Sequence, residues 1–382
     1  MKILKLNEIS PLAEKIFPAG ALSKDCADPD AIVLRSFNMH DYDIPASVLA
    51  VGRAGAGVNN IPVDKCAEKG IVVFNTPGAN ANAVKELVLC ALLLSGRKVY
   101  DGIRWAQSLS GSDVAKQVES GKKAFVGHEI AGKTLGVIGL GAIGALVANA
   151  AIDLNMKVIG YDPFISVNAA WNLNHNVIRE DDLNALFKAC DFVTLHVPLT
   201  DATRGIVNKD TIALMPDGAA VINCARGELV DNAAVKAALA SGKLSRYVTD
   251  FPSAELLGTD NLVTIPHLGA STPEAEDNCA VMVAHQLMDF IDNGNVRNSV
   301  NFPACSLPRS GKQRITIIHH NVKNVLRAVT DIISNEGVNI ENFVSQSKGD
   351  YAYAILDLSE PVSPAVVEKL EKADNIIRLR VL

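Results

Sequence analysis

Three segments in the second half of the chain place groups suited to hydride transfer just past apolar, β-branched runs that read as strands. In Ala220-Val-Ile-Asn-Cys224-Ala-Arg226, an arginine follows the run directly. In Val248-Thr-Asp250-Phe-Pro-Ser-Ala-Glu255, two carboxylates follow the next one, and in Leu262-Val-Thr-Ile-Pro266-His267-Leu-Gly269 a histidine sits at a strand end. Open α/β sheets bind ligands beyond the carboxyl ends of their strands. A guanidinium there grips a carboxylate bidentately and polarises the neighbouring carbonyl. A histidine takes a hydroxyl proton as hydride leaves, or returns it in reduction. A glutamate on the other ring nitrogen fixes the tautomer and stabilises the imidazolium. Arg226, Glu255 and His267 suit this work on a 2-hydroxy acid. On residue types alone each has a plainer reading, the first two as surface ion-pair members and the third as a structural histidine.

A hydride acceptor is implied upstream. Gly139-Leu-Gly141-Ala142-Ile143-Gly144 matches G-x-G-x-x-G, closes an apolar run at 135–138 and opens a helical pattern at 142–155. The next strand pattern ends at Asp162, 162 − 144 = 18 residues after the last glycine. Together these form the dinucleotide fingerprint. Gly139 permits the tight turn, Gly141 lets backbone approach a pyrophosphate, and Gly144 lets helix pack closely on strand. The helix N-terminus offers free N–H groups to the phosphates. Asp162 would accept bonds from ribose hydroxyls and repel a 2′-phosphate, so NAD is expected over NADP. The plainer reading is a glycine-rich turn with a capping aspartate.

The elements that must position these groups follow an alternating βα pattern, which implies parallel sheets. Strands are expected at 31–34, 49–51 and 71–74, then at 135–138, 157–160, 192–195, 220–223, 247–249 and 262–265. Buried or amphipathic helices are expected at 83–94, 142–155, 233–241 and 274–293. A Pro- and Ser-containing stretch at 301–312 reads as a linker. Beyond it the pattern β-α-β-β-α-β, ending at Leu382, is the ferredoxin-like order.

A chain of 382 residues, 48% apolar and 20% charged, has ordinary globular composition and room for two or three domains. A net charge of −6 argues against a nucleic-acid partner. Seven cysteines without a CxxC pair fit reduced thiols rather than disulfides or a metal site. The apolar runs are too short for a membrane span, and no signal-peptide core opens the chain. A cytoplasmic location is expected.

Several blocks in order resemble the D-isomer-specific 2-hydroxyacid dehydrogenases, in the branch that acts on 3-phosphoglycerate. They are Arg53-Ala54-Gly55-Ala-Gly57, Asn75-Thr76-Pro77, Gly132–Gly136 running into Gly139–Gly144, His196-Val197-Pro198-Leu199, Asn223–Asp231 and Pro266–Thr272. The resemblance implies a Rossmann NAD domain (96–270) inserted into a flavodoxin-like substrate domain (1–95 and 271–300), a linker (301–312) and a ferredoxin-like ACT domain (313–382). It implies a cleft closed by hinge motion, and a homodimer or homotetramer. It makes Arg226, Glu255 and His267 the catalytic triad and NAD the cofactor. Thr76, Ala142, Ile143, His196, Val197, Pro198, Cys224, Ala225, Arg226, Asp250, His267 and Gly269 would line the cofactor site beside the three glycines and Asp162. For the substrate it implies Arg53, Ala54, Gly55, Asn75, Arg226 and His267, with Arg35 and Ser36 adding to a phosphate site. Lys122 and Lys123 are further candidate cations. His319, Asn321 and Asn339 match the positions at which serine-sensing relatives hold their effector, although Asn324 stands where those relatives have glycine. A purely assembly-forming ACT domain stays open. The implied activity is NAD-dependent oxidation of D-3-phosphoglycerate, the first step of serine biosynthesis. Another 2-hydroxy acid, or a NAD-sensing binding protein of the same fold, are the alternatives.

Overall fold

The computed structural model describes residues 1–382, the side chain of Asn168 excepted. The chain forms two compact units, residues 1–80 with 273–382 and residues 81–272.

In the first unit, β1 (Ile3–Lys5), β2 (Leu22–Ser23), β3 (Ala31–Leu34), β4 (Ala50–Arg53) and β5 (Val72–Phe74) form a parallel sheet in the order β2-β1-β3-β4-β5. This is the flavodoxin-like order. The Ala-Ile-Val-Leu run of β3 and the Val-Val-Phe run of β5 are wholly buried, as parallel strands covered on both faces must be. Val283, Leu287 and Phe290 of the Pro273–Asn293 helix share a core with Ile3, Val33, Ala50 and Phe74.

The second unit is a seven-stranded parallel sheet: β6 (Thr134–Ile138), β7 (Lys157–Tyr161), β8 (Ile178–Arg179), β9 (Phe192–Leu195), β10 (Ala219–Asn223), β11 (Leu244–Thr249) and β12 (Leu262–Thr264). Its order, β12-β11-β10-β9-β6-β7-β8, reverses direction at β6. That reversal is the switch point at which doubly wound sheets bind nucleotides. The expected boundary at residue 95 falls instead at 80, because the Ala81–Gly96 helix belongs to this unit. Its Val84, Val88, Ala91 and Leu92 are buried with Leu135, Val137 and Val147. The polar stretch that follows is also more regular than its composition suggests, with helices at Val99–Gln107 and Val114–Gly121.

A third, antiparallel sheet, β14-β15-β13-β16, closes the first unit: β13 (Gln313–His320), β14 (Ile340–Lys348), β15 (Tyr351–Leu358) and β16 (Ile376–Val381). The two-residue alternation of its strands serves two faces. Ile315, Ile317 and Leu356 pack under the helices Val325–Ser334 and Pro364–Glu371. Ile318, Tyr353 and Ile355 turn the other way and join the core around Phe290. The stretch read as a linker is therefore a packed segment. Phe302 and Cys305 are buried in that core, and the Asn301 amide bonds the backbone of Val73 and Ile71.

One ion pair fastens this arrangement. Arg314 and Asp357, both fully buried, meet bidentately at 2.6 and 2.7 Å. The guanidinium also donates to the carbonyls of Asn293, Leu307 and Pro308. Burial alone would raise the Asp357 carboxyl, but Arg314 and Ser310 hold it below the ordinary carboxylate value. Among the described residues no helix is long and apolar enough to cross a membrane, and no group of three His, Cys, Asp or Glu side chains could hold a metal.

Removing one partner of such a pair strands the other charge, so Asp357→Ala should cost roughly 3–5 kcal/mol of stability, read from chemical denaturation. Because folding depresses the Asp357 pKa, its contribution is fully present above the unfolded value of about 3.9. It is lost as pH falls through the lower folded value. A midpoint unchanged in the variant would mean that the pair is dispensable.

Candidate active site

The cofactor loop is built by close approach. Gly139 has φ +92, and a Cβ there would stand 2.7 Å from the His196 carbonyl oxygen. At Gly144 a Cβ would stand 1.9 Å from the Gly139 carbonyl oxygen, so only glycine lets the Ala142–Asp153 helix start this close to β6. Nothing lies within 4 Å of a Cβ at Gly141, the N-cap, and no side chain caps that helix. Its first N–H groups therefore face an open approach, as a pyrophosphate requires. Ala142 and Ile143 occupy the first turn.

Asp162 follows β7. Its two carboxylate oxygens each accept a backbone N–H at 2.9 Å, from Leu140 and Phe164. A carboxylate has about four lone-pair sites, so both oxygens keep capacity for ribose hydroxyls while shaping the turn. The residues present fit a dinucleotide. His196 follows β9, with Nε2 3.0 Å from the Thr194 hydroxyl and Nδ1 buried without a partner among the described residues. Burial pushes its imidazole down to about 3, so it is neutral at ordinary pH. Val197 and Pro198 come next, and Val197 also borders the space above Gly139.

The ends of β10, β11 and β12 carry the reactive groups. Asn223, the last residue of β10, staples the following loop: its amide donates to the Arg226 carbonyl at 2.8 Å and accepts the Ala225 N–H at 3.1 Å. Burial raises the Cys224 thiol to about 12, which keeps it from acting as a thiolate. The Arg226 guanidinium is exposed and donates to the Ala225 carbonyl at 2.6 Å. Asp250 is 1% exposed; burial raises its carboxyl, opposed by the charge of His267, the N–H of Gly269 and the charge of Arg226. His267 stands at φ +46, a left-handed conformation uncommon outside glycine and asparagine. Its N–H donates to the carbonyls of Asp250 and Ile265, both at 3.0 Å, and its exposed ring lies 4.8 Å from that of Phe251.

Glu255 departs from expectation. Its carboxylate accepts from Asn232 at 3.4 Å and its carbonyl from Lys236 at 2.7 Å, with no hydrogen bond to His267 among the described residues. The buried Asp250 is the loop carboxylate whose carboxyl the charge of His267 lowers. Glu255 is exposed and better paired with the helix Asn232–Ser241. Asn223 and Phe251 were not singled out in the sequence; a buried polar residue ending an apolar strand was the available signal for the first.

In the first unit the strand ends of β3, β4 and β5 gather Arg35, Ser36, Arg53, Ala54, Gly55, Asn75 and Thr76. Arg53 Nε donates to the Arg35 carbonyl at 3.0 Å and Nη1 to the Gly57 carbonyl at 2.5 Å. Asn75 donates to Ala56 at 2.6 Å, and the N–H of buried Thr76 donates to the Gly55 carbonyl at 3.1 Å. Arg35 pairs with Glu276 at 2.6 Å, and the Ser36 hydroxyl accepts from Asn7 at 3.2 Å. Lys122 pairs with Glu119 and, with Lys123, sits on an exposed 3₁₀ turn.

The three effector candidates do not converge within one chain. His319 is 3% exposed, with Nδ1 bonded to the His320 carbonyl at 2.7 Å, and burial lowers its pKa. Asn321 lies at the same end of β13 and donates to Gly349 at 3.0 Å. Asn339 bonds Ser359, beside the Leu358 that pairs with Gln313. That end lies 319 − 313 = 6 residues from His319 along the strand, or about 20 Å.

Residues 92–269 match the family model for the D-isomer specific 2-hydroxyacid dehydrogenase, NAD binding domain. The chain is 38% identical over 314 residues to D-3-phosphoglycerate dehydrogenase of Methanocaldococcus jannaschii, over 80% of this chain and 58% of that one. It spans about half the length of two other curated relatives of that name. With D-3-phosphoglycerate dehydrogenase of Escherichia coli K12 it shares 33% identity over 94% of this chain and 88% of that one. The solved NAD+-bound 3-phosphoglycerate dehydrogenase of Entamoeba histolytica has 27% identity and a TM-score of 0.61, over 79% of this chain and 98% of its own.

If Asp162 holds the ribose, Asp162→Ala should weaken NADH binding roughly 10- to 150-fold, the worth of a hydrogen bond to a charged group. The preference over NADPH should shrink with it. Fluorescence titration of both nucleotides checks this, and an unchanged NADH affinity would reject the assignment.

Proposed function

Because the chain belongs to the D-isomer-specific 2-hydroxyacid dehydrogenase family, we propose that it oxidises D-3-phosphoglycerate to 3-phosphohydroxypyruvate with NAD, the first step of serine biosynthesis. The observation that carries the chemistry is the placement of Arg226, Asp250 and His267 just beyond the ends of the neighbouring strands β10, β11 and β12. The substrate rests on the resemblance to relatives of that activity, among them the Escherichia coli protein, of which the chain spans 88%.

When bound, NAD supplies the hydride acceptor. The residues that would hold it are Gly139, Gly141 and the first turn of the following helix at the pyrophosphate, and Asp162 at the ribose. Arg226 would grip the substrate carboxylate bidentately and, in the reverse reduction, polarise the neighbouring carbonyl for hydride addition. His267 accepts the hydroxyl proton on an imidazole nitrogen. The imidazolium so formed is stabilised by the negative charge of Asp250, and by Glu255 once it leaves Asn232. Asp250 thereby shares a role that the triad alone assigns to Glu255. Arg53 binds the phosphate. Two of its nitrogens are already fixed by carbonyls, so its plane is set in advance of substrate.

His267→Ala should lower turnover roughly 10²- to 10⁴-fold while leaving NADH binding intact. Turnover at the wild-type level would remove His267 from the mechanism.

Arg53→Ala should reduce kcat/KM for phosphohydroxypyruvate roughly 10- to 150-fold more than for hydroxypyruvate, since only the former carries the dianion. Equal losses would assign Arg53 to the loop or the shared carboxylate, and the substrate would then be an unphosphorylated 2-hydroxy acid.

A further inference from the structure

The first unit contains a cavity of about 650 Å³ that none of the residues discussed so far uses. Its wall is one face of the Pro273–Asn293 helix, carrying Val281, Met282, His285, Gln286 and Asp289, and its rim includes Arg297 in the following loop. This size lies within the range of roughly 300–1,000 Å³ typical of small-molecule sites.

Gln286 is the feature that asks for a ligand. It is 8% exposed, yet neither its amide nitrogen nor its amide oxygen has a hydrogen-bond partner among the described residues. Buried amides are normally paired at both ends. On an amphipathic helix, leucine or methionine would fill this position without that cost, so the amide is retained against the local packing interest. A donor and an acceptor side by side match one edge of a purine, as glutamine does when it reads adenine. Val281 and Met282 offer apolar surface for the flat face of a base.

Asp289 and Arg297 bring one charge of each sign to the cavity, and their hydrogen bonding decides which is available to a ligand. Asp289 is already occupied: its Oδ1 accepts from Asn293 at 3.0 Å and from Asn295 at 2.9 Å, and its Oδ2 lies 3.7 Å from Arg297 Nε. It has little left for a ligand ammonium, which disfavours a zwitterionic amino acid. Arg297 commits only Nε, and that loosely, so its outer fork can bind a phosphate bidentately. His285, exposed on the same helix face, can add a second donor.

We propose that this cavity binds a purine nucleoside monophosphate, with the base edge on Gln286 and the phosphate on Arg297 and His285. The site is separate from the dinucleotide loop, which lies wholly in the other unit. The proposal does not depend on which 2-hydroxy acid is oxidised.

The test is calorimetric titration of the full chain with AMP in the presence of saturating NADH, so that the dinucleotide site is filled. One AMP per chain is expected, at an affinity lowered at least about tenfold in both Gln286→Leu and Arg297→Ala, with NADH affinity unchanged. Gln286→Leu removes a buried, unpaired amide, so the ligand-free variant should melt no lower than wild type. Arg297→Ala alters an exposed rim residue and decides the matter if the first variant folds poorly. Adenosine and inorganic phosphate should each bind more weakly than AMP. Failure of AMP to bind beside NADH would overturn the proposal, as would binding unaffected by either substitution. Tighter binding of a free amino acid than of AMP would overturn it too and reassign the cavity.

Discussion

A single methyl group on Gly144 would stand 1.9 Å from the carbonyl oxygen of Gly139, and much of the second unit is arranged around that contact. It brings the helix onto β6 so closely that its uncapped N-terminus opens at the point where strand order reverses. β9 lies on the other side, with the His196 carbonyl pressed against Gly139. Asp162 then closes the loop by accepting the Leu140 N–H, so the residue suited to a ribose also sets the shape of the phosphate turn. Beyond β9 the sheet continues through β10, β11 and β12, whose ends are followed in turn by Arg226, by Asp250 and Glu255, and by His267.

The two carboxylates after β11 illustrate how burial divides labour. Asp250 is desolvated, which raises its carboxyl, and the charge of His267, the N–H of Gly269 and the charge of Arg226 oppose that rise. Glu255, five residues on, faces solvent and is held by Asn232. Desolvated charges act more strongly on neighbours than solvated ones. The left-handed backbone at His267 is fixed by bonds from its N–H to the Asp250 and Ile265 carbonyls. Backbone strain of this kind tends to be stored at functional positions.

The alternation of apolar runs and helical patterns was enough to read the main strands, because parallel strands buried on both faces are continuous Val, Ile and Leu stretches. Ala31–Leu34 and Phe192–Leu195 lie where the pattern put them. β1, β2 and β8 escaped notice, the last two because strands of two residues carry almost no periodicity. The Ala81–Gly96 helix was read as a helix but placed with the wrong partner, since nothing in a buried apolar face says which core it will join. The segment 301–312 looked like a tether through its prolines and serines. Its Phe302 and Cys305 were the contrary signal. At the site, residue types were legible and pairings were not. The Glu255–Asn232 bond and the Arg35–Glu276 pair link positions far apart in sequence, whose side chains meet only through the fold.

The central claim is that this chain works on a phosphorylated 2-hydroxy acid with NAD. The most direct measurement is wild-type kcat/KM with NADH for phosphohydroxypyruvate against hydroxypyruvate and 2-oxoglutarate under identical conditions. The account predicts that phosphohydroxypyruvate is preferred by at least about tenfold, the worth of one charged hydrogen bond to the phosphate. Equal or greater efficiency on an unphosphorylated 2-oxo acid would contradict it.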